Sequence, residues 1–297
     1  MKCVSYALVR AGYDVGIAGC TLPAGMPREV GLYPDWRERV RTCDAVLLPL
    51  PTVRSGDLLA YPEEDIPFSA FLSTLRPGTV LLAGMIPEAR RREAEAAGMT
   101  VYDYYESEAV KARNAVLTAE GALSIAMQEL PVALDESRVA VVGCGRIGVA
   151  LCRMLRAMHA EVTALSRSAT SLRTPERLGC RTVLLTAEAL KEVTSGYDAV
   201  FTTVPHRIFT GEILRSASLL PGGRKTLYID LSSSPGSFDP AAARESGIRL
   251  LWALSLPGKY APDSAGRVLA TRILALLREG DRSGTSGADA GEGRESP

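Results

Sequence analysis

From Arg138 onward the sequence alternates short apolar runs with stretches of helical periodicity. The runs are Val139 to Val142, Val162 to Leu165, Thr182 to Leu185, Ala199 to Thr203, Leu227 to Leu231 and Arg249 to Leu254. Runs so short and so continuously apolar read as parallel strands covered on both faces. Together they predict a complete dinucleotide-binding, doubly wound sheet.

The first hundred residues repeat this grammar. Ala11-Gly-Tyr-Asp-Val15 answers Met158-His-Ala-Glu-Val162, Asp44-Ala-Val-Leu-Leu48 answers Asp198-Ala-Val-Phe-Thr202, and Arg76-Pro-Gly-Thr-Val-Leu81 answers Pro221-Gly-Gly-Arg-Lys-Thr-Leu227. The expectation is an α/β protein with two doubly wound Rossmann-like domains in tandem. Aligning Val15 with Val162 sets Met1 opposite Gly148, so nothing in the first domain answers Val139 to Val142. A start placed downstream of the true one, or a first sheet one strand short, is expected.

Between the halves, Ala109, Ala112, Val116, Ala119, Leu123, Ala126 and Leu130 recur at spacings of three and four, one face of a long helix that Pro131 closes. This helix is expected to bridge the domains and border a cleft. A last helix is expected from about Ser264 to Arg278, and the segment after Glu279 has the composition of a disordered tail. The predicted organisation is an N-terminal Rossmann/flavodoxin-like domain over 1–107, the bridging helix over 108–131, a nucleotide-binding domain over 132–280 and a tail over 281–297.

Composition narrows the function. The 297 residues carry 34 acids and 34 bases, so nothing marks a nucleic-acid footprint. No apolar run approaches the roughly 18 residues of a membrane span, and the first residues lack the pattern of a signal peptide, so a cytoplasmic location is expected. Six cysteines occur without a CxxC pair, and the histidines are His159 and His206 alone. That argues against a metal site and for reduced, mostly buried thiols.

The strongest local signal is Gly143-Cys-Gly145-Arg146-Ile147-Gly148, a GxGxxG turn running from a strand into an amphipathic helix. Gly143 permits the turn, Gly145 admits a pyrophosphate, and Gly148 lets the helix approach the strand. Cys144 inside this turn reads as packing. The next strand ends in Ser166-Arg167-Ser168, with no carboxylate to accept from a ribose hydroxyl. Arg167 and its flanking serines suit a 2′-phosphate, so NADP is expected, with NAD possible if Arg167 instead stacks on adenine.

Several stretches, in order along the chain, resemble the family of the dipicolinate synthase A subunit: Asn114-Ala-Val-Leu-Thr118-Ala-Glu120-Gly121, the glycine turn, Thr203-Val204-Pro205, Asp230-Leu-Ser-Ser-Ser234-Pro-Gly236 and Leu256-Pro-Gly258-Lys259. The resemblance implies an oxidoreductase that converts dihydrodipicolinate to dipicolinate with NADP⁺, linked to sporulation. It also implies a smaller, flavoprotein-like B subunit as partner, and an oligomer is expected. The sequence departs from the family at Asp263 and Ser264, where Lys and Thr would be expected.

Such chemistry needs groups that neutralise two carboxylates and a base near the departing proton. Thr203, Val204 and Pro205 are candidates for the cofactor. Lys259 on its LPGK turn and His206 are catalytic candidates, and Arg207, Ser234, Gly258 and Glu120 are candidates for the substrate. Each also has a plain alternative as a solvated loop or surface residue. Two other functions fit the pattern: a 2-hydroxyacid-type dehydrogenase, and an idle NADP-binding regulatory protein. The first normally requires a histidine beyond the fifth strand, and none is present.

Overall fold

Apolar segments bounded by Gly and Pro turns collapse into strands, and amphipathic segments between them cover the faces. The computed structural model describes residues 2–18, 25–54, 57–60 and 64–285. Two units divide the chain, Met1–Lys111 with Asp263–Pro297, and Ala112–Pro262.

The first unit runs α1 (Lys2–Arg10), β1 (Gly16–Ile17), β2 (Gly31–Leu32), α2 (Trp36–Val40), β3 (Ala45–Leu47), β4 (Val53–Arg54), β5 (Leu58–Leu59), α3 (Phe68–Leu72), β6 (Val80–Ala83), α4 (Glu88–Ala96) and β7 (Thr100–Asp103). The strands β3, β6 and β7 form a parallel sheet in that order, β1 and β2 a separate parallel pair, and β4 and β5 an antiparallel one. Trp36, Phe68, Phe71 and Leu81 are at the centre of the core. Asp103, buried at the end of β7, accepts from the backbone N–H groups of Met85, Ile86 and Tyr105 at 3.2, 3.0 and 2.7 Å. It thereby fixes the loop that follows β6.

The long helix α5 (Glu108–Glu129) follows, and the division between the units falls inside it. Its burial differs from the expected stripe. Ala109 and Ala112 are exposed, whereas Ala115, Leu117, Thr118, Ala122 and Leu123 are buried, so more than one face is covered along its centre.

The second unit contains β8 (Arg138–Val142), α6 (Arg146–Ala157), β9 (Glu161–Ser166), α7 (Ala169–Arg177), β10 (Arg181–Leu184), α8 (Ala187–Val193), β11 (Ala199–Thr202), α9 (Gly211–Leu214), β12 (Leu227–Asp230), α10 (Pro240–Glu245), β13 (Arg249–Trp252) and α11 (Leu256–Tyr260). All six strands are parallel, in the order β10-β9-β8-β11-β12-β13. That is the doubly wound order, with its switch point between β8 and β11, where such sheets bind ligands. Val139, Val141, Phe201 and Ile229 fill the core on one face, with Ala119, Ala122 and Ala126 of α5 against them. Val142, Val200, Tyr228 and Phe209 fill the other.

The last helix, α12 (Pro262–Thr285), extends beyond the expected Ser264 to Arg278. It groups with the first unit, not with the second as the expected limits had it. Ala270, Ile273 and Leu276 pack on Val4, Leu82 and Tyr104, which gives the reason. The departing residues Asp263 and Ser264 are in its first turn, where Asp263 accepts from the Cys3 thiol at 3.4 Å. Cys20 and the expected tail beyond residue 285 lie outside the described residues. No described helix is long and apolar enough to cross a membrane.

Candidate functional site

The glycine turn follows β8 directly. Gly143 has φ +100°, a region L side chains rarely adopt, and a Cβ there would lie 2.3 Å from the Thr203 hydroxyl. A Cβ on Gly148 would lie 1.8 Å from the Gly143 carbonyl oxygen, so only glycine lets α6 begin this close to the strand. Gly145, by contrast, has nothing within 4 Å of its Cβ position, and as the N-cap of α6 it offers no side chain to the first turn. An open space facing an uncapped helix start fits a pyrophosphate, whose oxygens accept from backbone N–H groups there. Arg146 and Ile147 occupy that first turn.

At the end of β9, Ser166 is buried and its hydroxyl accepts from the backbone N–H of Ser168 at 3.3 Å. Arg167 and Ser168 are exposed, and Ser168 begins α7 without a side-chain cap. No carboxylate lies between Leu165 and Thr170. An exposed guanidinium beside a free hydroxyl at a helix start has the chemistry to hold a 2′-phosphate.

After β11 the chain is tied to the glycine turn. The N–H of Thr203 donates to the Val142 carbonyl at 2.9 Å, and its hydroxyl donates to the Gly143 carbonyl at 3.2 Å. Pro205, His206 and Arg207 are exposed; the N–H of His206 donates to the Val204 carbonyl at 2.8 Å, closing a tight turn. Neither the His206 imidazole nor the Arg207 guanidinium is held by another side chain among the described residues.

The loop after β12 contains what the sequence reading missed. Asp230 is 2% exposed and paired with no cation among the described residues. Its carboxylate accepts from the backbone N–H and hydroxyl of Ser232 at 2.9 and 2.6 Å, and from the Ser237 N–H at 2.7 Å. The Ser237 hydroxyl donates to the Val204 carbonyl at 2.6 Å and accepts from Thr202 at 2.7 Å. Trp252, half exposed at the end of β13, donates from its indole N–H to the Ser232 carbonyl at 2.8 Å. The signal available was an aspartate ending an apolar strand, where a fully buried charge is rare unless hydrogen-bonded. Ser234 is exposed at the tip of this loop, before the cis peptide to Pro235.

The LPGK segment is a correction. Leu256 to Tyr260 form α11, not a glycine turn, and Gly258 does not take a positive φ. Ser255 in the left-handed conformation turns the chain, and Pro257 in the first turn favours a helix start. Lys259 projects from α11, exposed and in no ion pair among the described residues. A Cβ on Gly121 of α5 would lie 3.0 Å from the Leu256 Cβ and 3.2 Å from the Tyr260 ring, so Gly121 seats α11 against α5. Glu120 is exposed next to this contact, while the Thr118 hydroxyl donates back to the Asn114 carbonyl at 2.8 Å.

Cys144 is buried in the turn, and burial pushes its thiol up to about 11, which suits packing and not nucleophilic work. No cluster of metal-ligating side chains occurs among the described residues.

A doubly wound sheet with this turn at its switch point defines an NAD(P)-binding, dehydrogenase-like protein. Residues 110–231 match the NAD binding domain of the D-isomer specific 2-hydroxyacid dehydrogenases, and residues 4–105 match the N-terminal domain of the dipicolinate synthase A subunit. Over most of its length the chain is similar to the dipicolinate synthase A subunit. The A subunit of dipicolinate synthase from Bacillus subtilis (strain 168) is 29% identical over 239 residues, which span 80% of this chain and 78% of the relative. The crystal structure of dipicolinate synthase, A chain, from Bacillus subtilis is similar, with a TM-score of 0.77 at 25% identity over 95% of this chain and 93% of that one. The crystal structure of its Bacillus halodurans counterpart gives 0.77 at 23% identity over 93% of each. A transhydrogenase from Sinorhizobium meliloti shares the fold, with a TM-score of 0.65 at 20% identity over 93% of this chain and 87% of that one.

Proposed function

We propose that the protein oxidises dihydrodipicolinate to dipicolinate with NADP⁺ as hydride acceptor. The observation that carries this reading is the match of the first hundred residues to the N-terminal domain of the dipicolinate synthase A subunit. The nucleotide-binding half alone would suit many dehydrogenases. Its turn, open at Gly145 and closed at Gly148, supports a dinucleotide, and Arg167 with Ser168 supports the 2′-phosphate form.

The substrate is a cyclic imine with two carboxylates, and loss of a hydride and a proton gives an aromatic pyridine. Aromaticity drives the step, so the residues mainly position the ring. The bound nicotinamide supplies the hydride acceptor. Lys259 and Arg207, exposed and in no ion pair among the described residues, neutralise the carboxylates. Ser234 and the backbone at Gly258 add hydrogen bonds, and Glu120 orders the neighbouring segment. His206 takes the proton, directly or through a water. A 2-hydroxyacid dehydrogenase reading is disfavoured because His206 is the last histidine in the chain.

The test is a coupled assay in which the synthase of the dihydro compound makes substrate in situ and NADPH absorbance is followed, with and without a flavoprotein-like B subunit. Turnover under either condition supports the reading. No turnover under both, by protein that still takes up NADP⁺, replaces it with a regulatory nucleotide-binding role.

A further inference from the structure

We infer that Asp230 is a positioning residue for the nicotinamide half of the bound dinucleotide. The inference rests on the nucleotide-binding reading of this unit and not on the identity of the oxidised substrate.

A carboxylate removed from water and left without a counter-ion is strongly disfavoured unless hydrogen bonds replace its solvation. Asp230 receives that replacement from Ser232 and Ser237, residues of the loop it precedes. The network continues outward. Ser237 has a single hydroxyl proton, and the Val204 carbonyl at 2.6 Å takes it in preference to the Asp230 oxygen at 3.3 Å. The Thr202 hydroxyl donates to the same Ser237 oxygen. The Ser237 carbonyl in turn accepts from the N–H groups of Ile208 and Phe209 at 2.9 and 3.0 Å.

One buried charge therefore fixes two loops to each other, 203–209 after β11 and 232–238 after β12. Below them Phe209 stacks on Phe238 with ring centroids 4.4 Å apart, a rigid apolar floor. Both loops leave the carboxyl ends of strands on the β11 side of the switch point. The glycine turn and the β9 end lie on the other side, where they face the pyrophosphate and the adenosine. In a dinucleotide laid across the switch point, the half beyond the pyrophosphate meets the loops that Asp230 organises.

Asparagine cannot replace this group. Both Asp230 oxygens accept from backbone N–H groups, so an amide NH₂ at either place sets donor against donor.

The experiment compares wild type, Asp230→Asn, Ser237→Ala and the double variant by calorimetry. The probes are the dinucleotide that wild type binds more tightly and its adenosine fragment, adenosine 2′,5′-bisphosphate for NADP⁺ or ADP for NAD⁺. Uptake of the dinucleotide by wild type is the separate check on the underlying reading. The expected result is a loss of dinucleotide affinity of roughly tenfold in each single variant, with fragment affinity unchanged. The double variant should lose less than the product of the single losses, because both substitutions break one network. Equal losses for dinucleotide and fragment would reduce Asp230 to a structural support and overturn the proposal. Unchanged dinucleotide affinity in both single variants would overturn it too. Ser237→Ala removes one hydroxyl and leaves the Asp230 backbone contacts in place, so it keeps the question open to test if Asp230→Asn fails to fold.

Discussion

The Cα of Gly148 faces the carbonyl of Gly143 so closely that a methyl group between them would sit 1.8 Å from the oxygen. The obstacle is backbone, which cannot rotate aside as a flexible side chain would. Gly148→Ala should therefore destabilise the second unit by about 3 kcal/mol, the upper end for overpacking, and abolish dinucleotide uptake. Gly145→Ala meets nothing within 4 Å and needs no positive φ. It should leave the urea midpoint in place while lowering dinucleotide affinity, since its methyl enters the space meant for phosphate. Equal stability losses in the two variants would contradict this account of the turn.

Tyr228 presents a different balance. It is almost fully buried against Phe209 and Phe238, its hydroxyl makes no hydrogen bond to the described residues, and burial pushes its ionisation up. A buried hydroxyl without a partner costs about 1–3 kcal/mol in lost hydration. Tyr228→Phe should accordingly leave the melting temperature unchanged or raise it, whereas most core substitutions lower it. A fall of several degrees would show that the hydroxyl is satisfied in solution.

Cys144 links burial to pH. Its folded-state value of about 11 stands above the ordinary 9.0 because burial penalises the thiolate. The folded protein therefore holds this proton where the unfolded chain has released it, so the stabilisation is complete below pH 9 and declines as pH rises toward 11. Cys144→Ala should show a shallower fall in melting temperature over that window. At neutral pH a maleimide should leave Cys144 unlabelled until urea opens the fold.

What the sequence disclosed follows from how far each interaction reaches along the chain. The central strands β8, β11 and β12 were legible within a residue because burial on both faces keeps nearly every position apolar, whereas the edge strands β10 and β13 begin with an exposed Arg and β13 ends two residues before the expected Leu254. The Gly148 contact was legible because both partners lie in one motif. The role of α12 was not. Its apolar face was plain, but nothing local says whether Ala270 and Ile273 meet Val4 or the sheet that precedes them. The LPGK segment reads as a turn because Pro and Gly are turn formers, yet the left-handed Ser255 makes the turn and frees Pro257 to start a helix. Asp230 escaped because its partners are serines, which in sequence signal only a loop.

The contact between α5 and α11 offers a test of how Lys259 is placed. Gly121 is the point of closest approach, with Leu256 and Tyr260 opposite. Alanine there adds helix propensity of about 1 kcal/mol against a tight contact, so its sign is a close contest. Gly121→Val reduces the ambiguity by adding more bulk with a smaller propensity gain. It should displace α11 and raise the KM for the dicarboxylate several-fold, with dinucleotide affinity unchanged. Lys259→Ala should do the same through loss of charge, and Lys259→Arg should recover part of it. Steady-state kinetics with each substrate varied in turn would separate the two requirements, and a change confined to the dinucleotide would remove α11 from the substrate site.

Cofactor choice rests on the short segment after β9. Arg167 is exposed, Ser168 is uncapped, and no carboxylate is present to accept from a 2′-hydroxyl. Arg167→Glu exchanges a group that pairs with a 2′-phosphate for one that repels it and accepts from a ribose hydroxyl instead. A charge-assisted hydrogen bond lost and a repulsion gained together amount to about 2–3 kcal/mol, so the ratio of NADP⁺ to NAD⁺ affinity should fall by roughly 30- to 150-fold. Because the contact is exposed, the wild-type preference should also shrink as salt rises. Calorimetric titration of both proteins with both dinucleotides measures the ratio directly. A wild type that already prefers NAD⁺, with Arg167→Glu leaving the ratio unmoved, would place Arg167 outside the phosphate pocket.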